Sequence, residues 1–292
     1  MRERQSIKRL LALLEKYEIR GTWAIVGHIF YSECENCVIC PVKDWKGKYS
    51  SYEEAYQTAH PLWYGADIVQ HILEQGKNQE LGFHGYTHEI FVPEQMREEK
   101  AEIQITEWIR VAKRFGLKPG SIVFPRDRVG FLELFQKHGF ICYRAEHKDH
   151  ILVRNKYFGR FVKVFDYLLS ISRIPTFKPL LKIVDGLVEL ESSQHFFAFN
   201  RDLELVLDKL GLQHWRNTRI MRGVDRISRH NEIMHLWAHP WEFRTDKDFE
   251  KLEKILQRVH KYIQEGKIRS LGMLDLANEL LEQKKAITGE NQ

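Results

Sequence analysis

Apolar positions recur along the chain with two different periods, which predict helices and strands in turn. Apolar residues spaced three or four apart predict helices over 4–18, 66–75, 94–115, 129–137, 201–210 and 246–265. Short apolar runs predict strands at 21–27, 81–83, 121–124, 141–144, 187–190 and 233–237. Glycines that suit helix ends follow four helices, at Gly116, Gly139, Gly211 and Gly266. Helices that alternate with strands are typical of a parallel α/β sheet or barrel, and we expect that fold class.

The length and composition favour one folded domain. With 292 residues, 43% of them hydrophobic, the chain can bury a large core, and we predict a single domain over 1–285 and a disordered tail over 286–292. No apolar run approaches the roughly 20 residues that cross a bilayer, and the first residues show no signal-peptide pattern. A cytoplasmic location is therefore expected. The net charge of +5 does not indicate a dedicated nucleic-acid binder.

Histidines follow two of the predicted strands. His84 and His88 flank a turn that starts at Gly85, and His239 follows the apolar run 233–237. In α/β barrels the carboxyl ends of the strands form the active face, so these side chains should converge. Imidazole suits zinc and similar ions, and a catalytic zinc site often combines histidines, a carboxylate and a water. The pattern predicts a metal-centred hydrolytic site, with loop histidines bonded to the backbone as the alternative.

Five segments, taken in order, resemble motifs of the polysaccharide deacetylase family, the NodB-homology domains of carbohydrate esterase family 4. They are 21–27, 84–88, 123–127, 185–190 and 235–240, and the resemblance covers nearly the whole chain. It implies a distorted (β/α) barrel and metal-dependent removal of an acetyl group from an N-acetylated sugar. It also implies that His84 and His88 bind the metal. Arg126 would be the active-site arginine and His239 the catalytic acid, while Asp185 would hold His239 in one tautomer or else serve as a turn residue.

One family motif has no counterpart in residues 1–292. The family's first strand ends in an acidic motif that supplies a metal ligand and the base, and the present sequence begins after that position. We therefore expect the first strand to be missing, through a late start or a natural loss. The expected cofactor is a divalent metal, zinc above others, bound weakly because its third protein ligand is absent. A non-catalytic carbohydrate-binding pseudoenzyme is the second hypothesis.

Aromatic residues near the predicted active face indicate a carbohydrate substrate. Flat rings are natural platforms for sugars, and we predict this role for Trp63, Tyr64 and Trp241, with ordinary packing as the alternative. Glu242 stands where the family commonly has a small amide residue.

A cysteine cluster offers a third hypothesis. Cys34, Cys37 and Cys40 have a spacing that suits zinc or an iron–sulfur cluster, but such sites usually need four ligands. Reduced, partly buried thiols are favoured over a metal or redox site.

Two basic segments have alternative interpretations. A predicted helix carries Arg216, Arg219, Arg222, Arg226 and Arg229 on one side, which usually marks a solvated face. The amphipathic segment 157–171 suits either core packing, which is favoured, or a membrane surface.

Overall fold

The structure, a computed structural model, describes residues 2–33, 39, 64–76, 78–146, 166, 172–197, 202, 205–206, 209, 211 and 214–288. The helices are α1 (Arg2–Lys16), α2 (Ala66–Gln75), α3 (Glu98–Lys113), α4 (Leu132–Lys137), α5 (His214–Ile227), α6 (Asp246–Gln264) and α7 (Met273–Thr288). The strands are β1 (Thr22–Ile25), β2 (Glu80–Phe83), β3 (Ser121–Ile122), β4 (Cys142–Arg144), β5 (Ile183–Val184), β6 (Leu187–Leu190), β7 (Gln194–His195) and β8 (Leu236–Trp237).

Six strands form one mostly parallel sheet in the order β1-β2-β3-β4-β6-β5. Parallel pairs join β1 to β2, β2 to β3, β3 to β4 and β4 to β6, and only β5 runs antiparallel to its neighbour. Strands of this kind are covered on both faces, which explains their short, nearly continuous apolar runs. The predicted α/β class with a mainly parallel sheet is confirmed.

The predicted barrel is not confirmed, because the sheet of the described residues does not close. β5 and β6 form a hairpin around Asp185 (φ 47°) and Gly186 (φ 81°), the left-handed pair that a two-residue type I′ turn requires. β5 thereby occupies the edge of β6 that a further parallel strand would need. The chain turns away after Leu190, and β7 pairs with β8 in a separate two-stranded sheet.

Helices pack against both faces of the six-stranded sheet. On one face, α3 buries a stripe that includes Ile105 and Trp108 and packs against Phe83 of β2. Alternate residues of the strands point to the other face, where Ala277 and Leu280 of α7 pack against Val188. The sheet is therefore the middle layer of three.

A second apolar cluster surrounds the β7–β8 pair. It joins α1, α5 and α6 through side chains such as Leu10, Ile220 and Phe249, and the partly buried Trp23 of β1 packs against both this cluster and the main core. Two arginines of the predicted basic stripe have structural partners, since Arg219 pairs with Asp166 and Arg226 with Glu232.

Helix positions were predicted more accurately than strand lengths. The helix at 66–75 matches α2, whereas α3 begins at Glu98 instead of 94 because residues 93–95 form a turn. All four glycines predicted at helix ends adopt positive φ. The sequence did not predict β5, β7 or α7. Several predictions concern residues outside the described ones: the cysteine cluster, Trp63, nearly all of 157–171, much of 201–210, and 289–292.

Within the described part of the chain, no helix combines the length and the apolar composition that crossing a bilayer requires.

Candidate active site

The carboxyl ends of five strands deliver polar side chains to one region. His84 follows β2, Arg126 follows β3, Arg144 ends β4, His195 ends β7 and His239 follows β8. Parallel neighbours end at the same edge of a sheet, so the first three lie together for a topological reason. His195 and His239 join them from the separate pair, where His195 stands opposite Trp237.

His84 is held in one tautomer by the backbone. Its Nδ1 lies 2.7 Å from the carbonyl oxygen of Val123, which only accepts hydrogen bonds, so Nδ1 carries the hydrogen and Nε2 keeps a free lone pair. Burial lowers the pKa of His84 to about 4, and the nearby charges of Arg144 and His239 act in the same direction. The ring is therefore neutral at pH 7, the form that binds a metal.

His88 is brought beside His84 by a tight turn. Gly85 (φ 76°) and His88 (φ 63°) both adopt left-handed backbone, and the two imidazole centroids lie 4.8 Å apart. Burial lowers the pKa of His88, and the charges of Arg126 and His239 lower it further. Because the electrostatic effect of His239 reaches both rings, the three predicted site histidines lie in one region.

A buried glutamine fixes this turn. Gln104 of α3 is 0% exposed, and its side-chain oxygen accepts hydrogen bonds of 2.9 Å from the backbone N–H groups of Tyr86 and Thr87. The two donors lie between the histidines in the chain, so α3 holds the backbone of the turn that carries both rings.

The segment after β3 is strained. Arg126 (φ 55°) and Asp127 (φ 53°) are consecutive non-glycine residues in left-handed backbone, which costs of order 1 kcal/mol or more each. Asp127 forms an ion pair with Arg144, whose guanidinium carbon lies 4.4 Å from the ring centroid of Trp237. These contacts connect β3, β4 and β8 beneath the site. Arg144 was not predicted as a site residue, because an arginine at the end of a strand is only a weak signal in the sequence.

Glu242 orients His239. One carboxylate oxygen of Glu242, Oε2, lies 2.7 Å from the backbone N of His239, 3.1 Å from its Nδ1 and 2.9 Å from Nε2 of His195. Burial opposes ionisation of Glu242, but the hydrogen bonds from His195 and His239 outweigh it and lower its pKa to about 2. From the sequence, Glu242 was recognised only as a departure from the family pattern, and His195 was not predicted.

The remaining predicted site residues have different surroundings. Trp241 is 46% exposed and stacks on His239, with centroids 5.2 Å apart. Tyr64 is 4% exposed and belongs to the main core, where its ring packs on His28. Asp185 lies in the β5–β6 turn at the amino end of β6, and the carboxylate beside His239 is that of Glu242.

The resemblance to deacetylases implies a divalent metal at His84 and His88. Two neighbouring imidazoles, one with Nε2 free, suit a zinc-like ion. Among the described residues, the one group of three metal-binding side chains is His195, His239 and Glu242, with ligand atoms within 4.8 Å of one another. The described residues thus add no carboxylate to the first pair.

We expect acidification from pH 7 to pH 5 to destabilise the fold through His84. Its pKa is about 4 in the folded state and near 6.5 in an unfolded chain, so the unfolded chain takes up the proton first. Stability is lost as pH falls through 6.5 towards 4, by about 1–2 kcal/mol at pH 5. Urea unfolding with a chelator present should show a smaller pH dependence for His84→Gln than for the wild type. An equal dependence would contradict the assigned burial.

Comparisons with known proteins support the fold. No protein family model and no curated protein matches the chain. A solved structure assigned to the polysaccharide deacetylases, from Mycobacterium smegmatis, is similar with a TM-score of 0.50 and 17% identity over 96% of this chain and 78% of that one. A GH57-type branching enzyme from Pyrococcus horikoshii has a TM-score of 0.52 and 12% identity over 95% and 65%. A CE4 family pseudoenzyme from Bacillus anthracis has a TM-score of 0.44 and 12% identity over 94% and 61%. At these identities the similarity establishes a deacetylase-like fold alone.

Proposed function

We propose that this chain is a metal-dependent hydrolase that removes acetyl groups from N-acetylated sugars. The observation that carries the proposal is the meeting of His84, His88 and His239 at the carboxyl ends of the strands, with Glu242 bonded to His239. The deacetylase-like fold agrees with this chemistry. The substrate is a carbohydrate, and the metal is zinc or a similar divalent ion.

His84 and His88 would hold the metal. The Val123 carbonyl fixes His84 with Nε2 free, and the turn at Gly85 places His88 beside it. A divalent ion bound there would polarise the acetyl carbonyl and lower the pKa of a bound water. A backbone carbonyl bonded to the other nitrogen of a ligand histidine is the usual means of orienting it.

His239 delivers a proton to the leaving nitrogen. When the amide C–N bond breaks, the departing amine needs a proton, and a histidine within hydrogen-bond reach is the usual donor. Nδ1 of His239 faces the ionised Glu242 and donates its hydrogen to that carboxylate. Nε2 is therefore the nitrogen that exchanges a proton with the substrate. Glu242 is a positioning residue in this scheme.

Trp241 provides the sugar platform. Its ring is stacked on His239 at an interplanar angle of 23°, and Trp241 is 46% exposed, so the open aromatic face is the one turned away from His239. A sugar ring packed on this face would reach His239 with an N-acetyl group that extends past the edge of the indole ring. Arg126, near His88, would stabilise negative charge on the acetyl oxygen.

A carbohydrate-binding protein without catalysis is the second candidate. It is favoured by one observation: within the described residues, no carboxylate joins His84 and His88 in a three-ligand group. Water activation is then weak because both a charged ligand and a base are lacking.

Acetate release from N-acetylglucosamine oligomers, measured with zinc, cobalt or manganese, tests the proposal. We expect slow release that a chelator stops, since two neutral ligands bind the metal weakly. De-N-acetylated oligomers serve as the substrate control. Oligomer binding without acetate release would favour the second candidate. The absence of both binding and release would overturn both candidates.

A further inference from the structure

His195, His239 and Glu242 have an arrangement that the hydrogen bonds of a neutral His195 do not explain. Nδ1 of His195 lies 2.6 Å from the carbonyl oxygen of Phe197 and 3.2 Å from the Phe197 backbone N. The shorter contact, to a group that only accepts, places the hydrogen on Nδ1. Nε2 of a neutral His195 then presents a lone pair to Oε2 of Glu242, 2.9 Å away. Two acceptors at that separation need a cation between them, either a proton or a metal ion.

The same oxygen of Glu242 is crowded. Oε2 faces three nitrogens: the backbone N of His239, its Nδ1, and Nε2 of His195. A carboxylate oxygen has two lone-pair positions. A metal ion that replaced the hydrogens on the two imidazole nitrogens would leave Oε2 with two partners, the ion and the His239 N–H. The side chain of Glu242 is 8% exposed, so little water competes for it.

The three ligands also match a known metal preference. Two histidines and one carboxylate, with a fourth position open to water, form a catalytic-type zinc set. The Phe197 carbonyl on the far nitrogen of His195 is the outer contact expected for a metal-bound imidazole. Tetrahedral binding at about 2.0–2.1 Å sets ligand atoms about 3.4 Å apart. The ligand atoms lie within 4.8 Å of one another, so the widest separation would shorten and the contacts of Glu242 Oε2 at 2.9 and 3.1 Å would lengthen slightly.

We propose that His195, His239 and Glu242 form a second divalent-metal site, selective for zinc or cobalt, and that its occupation inhibits catalysis. The ion would bind Nε2 of His195, Nδ1 of His239 and a carboxylate oxygen of Glu242. It would release the proton held between His195 and Glu242, and the hydrogen of His239 would move from Nδ1 to Nε2. His239 could then no longer combine an Nδ1–H bond to Glu242 with proton transfer at Nε2. The inhibition of catalysis rests on the proposed function, whereas the metal site does not depend on it.

Titration of the metal-free protein with cobalt tests the site directly. Tetrahedral cobalt gives an intense visible absorption band, which requires no substrate and no activity. We expect the band in the wild type and in His84→Ala, and at least tenfold weaker binding in His195→Gln and Glu242→Gln. His260→Ala is the matched control, because His260 contacts Tyr17 near the carboxyl end of α6, whereas Glu242 precedes the amino end of that helix. Circular dichroism checks the fold of each variant.

The outcomes separate the two proposals. A band that is unchanged in His195→Gln, lost only in His84→Ala, or absent from the wild type would overturn the second site. If the band behaves as expected, zinc added at the concentration that fills this site should slow the acetate release that manganese supports. A protein that binds cobalt in this way and releases no acetate would retain the site and reject the hydrolase.

Discussion

Replacement of His239 by alanine is expected to lower the acetate-release kcat/KM by about 10²- to 10⁴-fold, the usual contribution of a positioned proton donor. The large effect follows because the amine leaves poorly without a proton, and no other described histidine is both bonded to Glu242 through Nδ1 and stacked on the exposed Trp241. Kinetics on N-acetylglucosamine oligomers, with circular dichroism as the fold check, measure the loss.

Glu242→Gln tests whether Glu242 acts on His239 through its negative charge or only through the fold of the turn. The amide can still accept the backbone N–H of His239, so the 3-10 turn at Pro240–Glu242 should persist, but the negative charge beside the imidazole is removed. We expect a lower kcat and a changed pH dependence of kcat, which a purely structural contact would not produce. Asp246→Asn, at an 80% exposed carboxylate, is the matched control. Full activity in both His239→Ala and Glu242→Gln would remove His239 from the mechanism.

The sequence predicted the features that depend on local patterns. Periodicity located α2 and α6 closely, because each has an apolar stripe, and α6 is followed by Gly266, a glycine predicted at a helix end. The positions of His84 and His239 after strands followed from the alternation of elements. Parallel strands end at one edge, so placing residues along the chain also placed them near each other in space.

Other features depend on contacts that one sequence does not reveal. The open sheet results from β5 folding back on β6, and a strand of two residues leaves almost no periodic signal. Glu242 became the partner of His239 through the 3-10 turn after His239, whereas Asp185 is carried to the other end of β6. His195 reaches the site only because β7 pairs with β8 in a register that sets His195 opposite Trp237, 42 positions further along the chain, and long-range pairing has no local cause.

Trp108→Ala should lower the free energy of unfolding by about 3–5 kcal/mol, the usual cost of removing a large buried ring. Trp108 is 0% exposed, and its ring lies 5.5 Å from Phe83 and 6.0 Å from Phe140 between centroids. Its indole N–H also donates to the carbonyl of Ile25 at 2.9 Å, so the change creates a cavity and removes a link from α3 to β1.

The same substitution at an exposed position provides the comparison for Trp108→Ala. Trp241→Ala removes the same side chain where it is 46% exposed, and should change stability by about 0.5 kcal/mol or less. Trp108→Phe should fall between the two, since it keeps most of the ring contacts but loses the hydrogen bond to Ile25. Urea unfolding of the three variants ranks them. A Trp108→Ala loss as small as that of Trp241→Ala would mean that α3 is not packed on β1 and β2 as described, and the support that Gln104 gives to the His84–His88 turn would fail with it.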